Sequence, residues 1–308
     1  MSVAAPTIAV ESPRQRMTGI AWMVACTFCF VAVTGVVRHL GSNLPAAEAA
    51  FIRYAFGCVI MAPAIVAVFR RPPSMDLQWG FALRGAAHTL GVALWFYAMA
   101  RIPIAEVTAI GYLTPILVTI GAAVFLGERL RIRRVMGVLV GFLGAFVVLR
   151  PGFQEISLGQ MAQLGAAPLF AVSYLMTKMF TGRTDSATIV TMLTIFATIF
   201  LFPLALLDWQ WPTLREYGWL FATAMLATFG HFAMTKALAA APIAVTQPVT
   251  FLQLVWASML GVLAFGEPVD PWVIVGGTII VGAASYIAWR EAQTKGAPIT
   301  PPANAAKS

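Results

Sequence analysis

The sequence predicts an all-α integral membrane protein with ten transmembrane helices, arranged as two inverted five-helix repeats. Ten apolar segments of about 17 to 25 residues follow one another, the length that a helix needs to cross a hydrocarbon core about 30 Å thick. Hydrophobic residues make up 60% of the 308-residue chain and charged residues only 10%, with a mean hydropathy of +0.83. A soluble domain carries about 25% charged residues, so no separate soluble domain is expected.

Glycine, proline and arginine mark the boundaries between the apolar segments, as in Arg71-Pro72-Pro73 and Arg150-Pro151-Gly152. The predicted spans are 17–38, 46–69, 78–100, 102–125, 133–149, 158–181, 186–208, 214–239, 242–266 and 270–289. The chain then divides into a cytoplasmic N-terminal tail, a first repeat, a second repeat and a disordered cytoplasmic tail, which cover 1–16, 17–151, 158–289 and 290–308.

The basic residues predict the orientation of the spans. Clusters such as Arg70-Arg71 and Arg129–Arg134 fall on one side of the predicted membrane, whereas the other side is flanked only by Arg38, Arg101, Arg150 and Arg215. Because short cytoplasmic loops are enriched in Lys and Arg, both termini are expected in the cytoplasm. The net charge of +8 is therefore explained by topology, and nucleic-acid binding is not expected.

A short pattern occurs twice at one fixed separation. Pro103-Ile104-Ala105 recurs as Pro242-Ile243-Ala244, and Gly127-Glu128 recurs as Gly266-Glu267; both are offset by 242 − 103 = 266 − 127 = 139 residues. A repeat of five spans must return its second copy upside down in the membrane. Inverted repeats of this kind are typical of transporters, in which two halves move around one site.

The fourth and ninth spans carry matching polar residues and prolines. Thr108 and Tyr112 share a face of the fourth span, and the same offset maps Thr108 to Gln247 in the ninth span, where Gln253 adds a second amide. The proline in each span frees a backbone carbonyl, which needs a partner from protein, water or ligand. We predict helix kinks at Pro115 and Pro248 and a substrate site near them.

The third span places Arg84, His88, Gly91 and Trp95 at helical spacing, so the four residues share one face. A cation, an imidazole and an indole are not expected to face lipid, and an indole can stack on a planar or cationic substrate. Two interpretations fit: Arg84, His88 and Trp95 line a substrate site, or the face packs against another helix with its polar groups satisfied.

Two ionisable residues inside predicted spans are candidates for function, because charges in a membrane interior are costly. Arg53 in the second span fits three roles: a side chain that reaches the interface, an anchor for a carboxylate or phosphate, or a partner of Glu106. Glu106, near the start of the fourth span, fits either a proton-coupling group or one half of a structural ion pair with Arg53.

No cofactor or metal site is expected. Cys26 and Cys29 form a CxxC within the first span, where solvent access and a second ligand pair are missing, so both are interpreted as small packing residues. The sequence contains no phosphate-binding loop, so transport energy is expected from an ion gradient, with a proton as one candidate.

These motifs together resemble a known family. The Phe-Tyr-Ala, Ile-Pro-Ile-Ala-Glu, Leu-Thr-Pro, Phe-Leu-Gly-Glu-Arg and Gly-Phe-Leu-Gly runs between Phe96 and Pro151 resemble an EamA-type domain of the drug/metabolite transporter superfamily, and 235–287 is similar to a second copy. The resemblance implies ten helices, a central cavity and alternating access.

The expected function is secondary transport of a small organic metabolite across the bacterial inner membrane. Export of an amino acid or a related compound is favoured by the resemblance, and uptake of a heterocycle such as a flavin or an adenosine derivative is the alternative. A membrane-embedded lipid-modifying enzyme is the alternative from another class. A monomer is expected to suffice for transport, and a dimer is left open.

Overall fold

The computed structural model describes residues 13–41, 43–126, 132–152, 155–180, 183–241, 249–250 and 252–295, and all regular structure of more than one turn in these ranges is helical. The helices are α1 (Pro13–Leu40), α2 (Ala46–Ile60), α3 (Ala62–Arg70), α4 (Met75–Met99), α5 (Ile104–Gly111), α6 (Leu113–Leu126), α7 (Ile132–Leu149), α8 (Leu158–Phe180), α9 (Ser186–Leu206), α10 (Leu214–Ala240), α11 (Leu252–Phe265) and α12 (Pro271–Lys295). The all-α prediction is confirmed.

The described ranges hold twelve helices, because two predicted spans are each broken into two. The predicted span 46–69 is bent: α2 and α3 meet at Met61 at an angle of 72°, which the sequence analysis did not anticipate. Pro63 explains the break, since it has no N–H for the carbonyl four residues before it. The fourth span is interrupted at Tyr112, between α5 and α6, three residues before Pro115.

Only some of the described helices are both long enough and apolar enough to cross a membrane as one unbroken helix. Two segments, Arg16–Leu40 and Ala187–Leu206, are long and apolar enough, and α2 with α3 adds a third if the bent pair counts as one span. Four further apolar helices are shorter, with bounds Ile104–Val118, Val135–Leu149, Leu252–Phe265 and Pro271–Ile287. The remaining helices carry polar residues, such as Arg84 and His88 in α4, that face the interior of the bundle.

The helices of the two halves pair with one another. The most extensive contacts join α1 to α10, α4 to α8, α2 to α9 and α7 to α12. A two-fold axis between the halves would exchange α1 with α8 and α4 with α10, so the α1–α10 pair would be mapped onto the α4–α8 pair. It would also exchange α2 with α9 and α7 with α12, so each of these two pairs would be mapped onto itself. The observed pairing is the one that such a symmetry requires.

Contacts at one end of the bundle show that α1 and α8 run in opposite directions. We call this end the Glu267 end. There Arg38, in the last turn of α1, donates from Nε to Glu267 Oε1 over 3.0 Å and from a second nitrogen to the Ala100 carbonyl over 3.0 Å. Gln160, in the first turn of α8, donates to Glu106 in the first turn of α5. The end of α1 and the start of α8 therefore lie together.

Glu267 joins three helices because the chain turns sharply before it. Gly266 has φ +63°, a left-handed conformation that favours glycine, and the Glu267 N–H returns to the Gly261 carbonyl over 3.0 Å. The carboxylate bonds Arg38 of α1 and accepts from the Ile104 N–H over 3.0 Å, where it caps the start of α5. Gly266 directly follows the last residue of α11, whereas the equivalent Gly127 of the first half lies outside the described residues.

Helices α7 and α12 approach each other at a pair of glycines. A Cβ atom on Gly276 would lie 2.6 Å from the carbonyl oxygen of Gly144, and one on Gly144 would lie 2.8 Å from that of Gly276. Small residues allow such close backbone contact, which drives helix association in membranes where burial of apolar surface does not. This crossing joins the last helix of the first half to the last helix of the second.

We therefore expect Gly276→Ala to destabilise the protein by about 1–3 kcal/mol, the cost of an atom with no space. Gly282→Ala, on the same helix, has no heavy atom within 4 Å of the new methyl group and is the matched control. Thermal unfolding of the two purified variants in detergent measures the difference. Equal melting temperatures would contradict the close approach of α7 and α12.

Candidate functional site

The face of α4 that carries Arg84, His88, Gly91 and Trp95 packs against α8. Arg84 Nε donates to Ser173 Oγ over 3.4 Å, and a Cβ atom on Gly91 would lie 3.2 Å from the Phe170 ring. The prediction that these four residues share a protein-facing side is met by the geometry. Packing against another helix, the second of the two interpretations, therefore explains part of this face.

His88 is the centre of a chain of polar contacts between three helices. Its Nε2 lies 2.8 Å from the Tyr54 hydroxyl of α2, and its Nδ1 lies 3.2 Å from Ser173 Oγ of α8. Each hydroxyl can donate or accept, so the neutral imidazole is satisfied in either tautomer. Ser173 also receives the Arg84 contact, which extends the chain to a guanidinium group.

Both arginines predicted inside spans are nine-tenths buried in the bundle. Arg53 and Arg84 are each 7% exposed. Arg53 places its guanidinium carbon 4.1 Å from the centre of the Tyr54 ring. The chain of contacts through Tyr54, His88 and Ser173 thus has a cation at each end.

Aromatic side chains lie beside this polar chain. The Phe170 ring centre is 5.4 Å from that of His88 and 6.3 Å from that of Trp95. Trp95 is only partly buried. A planar group entering next to His88 would find two aromatic rings within stacking distance.

The break in the fourth span is joined to the other half by one hydrogen bond. The Tyr112 hydroxyl, at the break between α5 and α6, donates to the Thr250 carbonyl over 2.7 Å, just before α11 begins. Thr108 donates to the Ile104 carbonyl of its own helix over 2.9 Å, and Gln253 is half-buried on α11. Gln247 and Pro248 lie outside the described residues.

Glu106 and Arg53 do not form an ion pair. The Glu106 carboxylate accepts from Gln160 of α8 at the Glu267 end, and it lines a cavity of about 120 Å³ together with Ser258, Glu267 and Asp270. Asp270 is itself bonded to Arg150 over 2.5 Å. Glu106 is thus part of a group of carboxylates at one end of the bundle, separate from the chain around His88.

Sequence reasoning did not identify the residues that connect the predicted ones. Tyr54, Phe170 and Ser173 hold or flank His88, and Gln160 holds Glu106. Tyr54 adjoins Arg53 in the sequence, which is a weak signal. The other three lie on α8, and nothing in their local sequence tells which helix α8 packs against.

Comparisons with known proteins agree with this architecture. Residues 17–150 and 157–289 each match the EamA-like transporter family. A solved crystal structure has the same fold with a TM-score of 0.59 at 17% identity, and the alignment covers 93% of this chain and 100% of that one. At this identity, the likeness shows the fold alone.

Proteins with similar sequences are named as transporters of different compounds. The chain is 28% identical to a riboflavin transporter of Vibrio cholerae over 88% of its own length and 93% of the relative's. It is 29% identical to a pseudopaline exporter of Pseudomonas aeruginosa over 86% and 94%, and 25% identical to an S-adenosylmethionine uptake transporter of Rickettsia bellii over 89% and 94%.

The two family matches cover most of the chain, and the relatives match over nearly their whole length. The chain is therefore an integral membrane protein and belongs to the EamA-like transporter family.

Proposed function

We propose that the protein is a secondary transporter that moves a small organic metabolite by alternating access around the group formed by Arg53, His88 and Trp95. The observation that carries the proposal is the bond from Tyr112, at the break in the fourth span, to the Thr250 carbonyl of the other half, which runs in the opposite direction. Transporters built from inverted repeats bind their substrates where broken helices meet the interface between the halves.

Export of an amino acid or a related compound is the first candidate, and the name of the pseudopaline exporter supports the outward direction. Uptake of a heterocycle is the second candidate. It is supported by the aromatic rings of Trp95 and Phe170, and by relatives named for riboflavin and S-adenosylmethionine. Flux in proteoliposomes loaded on one side only separates the two directions. The lipid-modifying enzyme is set aside, because the family and the relatives are transporters.

The membrane is proposed to be the bacterial inner membrane, with the Glu267 end facing the periplasm. The contacts of Glu267 with Arg38 and with the Ile104 N–H close this end. For a substrate to enter or leave there, these contacts have to break. Glu106, in the cavity beside them, is proposed as the group that carries a coupling proton.

Replacing the partly buried Trp95 side chain tests the position of the substrate. We expect Trp95→Ala to raise the half-saturation concentration for transport about tenfold, because a large apolar side chain contributes roughly 1–3 kcal/mol to binding. Leu90→Ala is the matched control, since Leu90 lies on the same helix and is 50% exposed. The proposal fails if both variants change the half-saturation concentration equally.

The coupling role of Glu106 predicts a separation of two activities. Glu106→Gln should abolish accumulation driven by a pH gradient and preserve counterflow exchange at equal pH, because exchange needs no net proton movement. Glu155→Gln, an exposed carboxylate of the α7–α8 connection, should affect neither. Loss of both activities together with a lower melting temperature would instead make Glu106 a structural partner of Gln160.

The orientation predicts the side of each connection. A reporter fused after Ser308 and one inserted within 127–131 should both report the cytoplasm, because the basic clusters face inward. A cysteine in place of Glu155 should react with a membrane-impermeant thiol reagent added outside intact cells. A periplasmic signal from either reporter would exclude the proposed topology.

A further inference from the structure

The interior of the bundle holds two guanidinium groups whose charges are not compensated. Arg84 donates to Ser173 Oγ and, over 3.1 Å, to the Ile189 carbonyl, and both of these acceptors are neutral. Arg53 has no hydrogen-bond or ion-pair partner in the part of the chain that the structure describes, and its buried Nε lacks an acceptor. Its guanidinium carbon lies over the face of the Tyr54 ring, 4.1 Å from the ring centre.

No carboxylate among the described side chains forms an ion pair with either of these cations. Every acidic residue whose side chain is described lies in the first turn of a helix or outside the helices. These residues are Glu48, Asp76, Glu106, Glu155, Asp185, Asp208, Glu216, Glu267 and Asp270. Of the buried ones, Glu106 accepts from Gln160 and Glu48 accepts from the Gln210 N–H through Oε2. The second oxygen of Glu48 has no hydrogen-bond partner among the described residues, and Glu48 forms no ion pair with either arginine.

Arg53 also lies inside the bundle and away from the start of its helix. It lies seven residues into α2 (53 − 46 = 7), about 10 Å along the helix from its start, and only 7% of the residue is exposed. An arginine that extended to the interface would keep its charged group in water. A buried charge that the protein does not pair costs several kcal/mol, and ionisable residues inside a membrane are by default candidates for function.

We propose that Arg53 binds an oxyanion group of the transported substrate, a carboxylate or a phosphate, while the organic part lies towards His88, Phe170 and Trp95. Arg53 is the anchor because its donors are not engaged, whereas Arg84 is held by Ser173 and Ile189. A planar guanidinium matches both oxyanions with two parallel hydrogen bonds. The inference rests on the proposed transport function and narrows its substrates to organic anions and zwitterions.

The first test is the stability of the protein without ligand. Arg53→Met keeps most of the side-chain volume and removes the uncompensated charge, so the purified full-length variant should melt at or above the wild-type temperature. A clearly lower melting temperature would assign Arg53 a structural role and overturn the proposal.

The second test is binding of small aromatic oxyanions, followed as the rise in melting temperature with ligand concentration. Benzoate and phenyl phosphate, compared with neutral benzamide at equal ionic strength, distinguish a carboxylate from a phosphate. We expect at least one anion to stabilise the wild-type protein, and Arg53→Met to weaken its apparent affinity about tenfold or more, as expected for losing a hydrogen bond to a charged group.

Arg101→Gln is the matched control, because Arg101 is exposed and donates to the Tyr97 carbonyl in the last turn of α4. It should bind the anion as the wild-type protein does. Arg53→Lys should recover part of the affinity, since it restores the charge without the two parallel donors. The proposal is overturned if no anion stabilises the wild-type protein, or if Arg53→Met and Arg101→Gln bind equally well.

The outcome also separates this inference from the proposed function. Metabolite flux in proteoliposomes that Arg53→Met leaves unchanged would contradict the oxyanion anchor and preserve the transporter. Anion binding that depends on Arg53, in a protein with no flux of any metabolite tested, would preserve the site and contradict transport.

Discussion

Charged and polar groups inside a membrane-embedded helix bundle can be satisfied only by the protein itself or by what it binds, because the surrounding lipid offers no hydrogen bonds. The described carboxylates obey this constraint by lying at helix ends, where basic side chains and free backbone N–H groups are available. Glu267 is the clearest case, with Arg38 and the first N–H of α5 as its partners. Arg53 and Arg84, which lie within the helices, are not paired with any of these carboxylates. The uncompensated charge of the protein is therefore in the interior of the bundle.

The same constraint determines where the backbone can be irregular. The break at Tyr112 lies inside the bundle, and its hydroxyl is satisfied by the Thr250 carbonyl of the other half. The close approach of Gly144 and Gly276 joins the halves elsewhere through backbone contact. The two halves are therefore tied along α7 and α12, while the helices that carry polar side chains meet through hydrogen bonds, which can be exchanged for bonds to a ligand.

Much of the fold could be predicted from local sequence, because apolar length and glycine or proline positions are local properties. The boundaries of most spans, the helix-ending role of Gly266 and the common face of Arg84, His88 and Trp95 follow from such properties. The 72° bend at Met61 was not predicted, although Pro63 marks it. The partners of the site residues could not be predicted. Ser173 and Gln160 contact residues 54 to 89 positions away, and their pairing depends on how α8 packs between helices of the first half.

The central claim is that the buried Arg53 has no anionic partner among the described residues of the protein and that an oxyanion of the substrate neutralises its charge. The most direct measurement is an experimental structure of the full-length protein with a transported metabolite bound. The account predicts a substrate oxyanion at about 3 Å from the Arg53 guanidinium, with the rest of the molecule beside the His88 and Trp95 side chains. A bound metabolite that does not contact Arg53, with the guanidinium paired to a carboxylate of the protein, would contradict it.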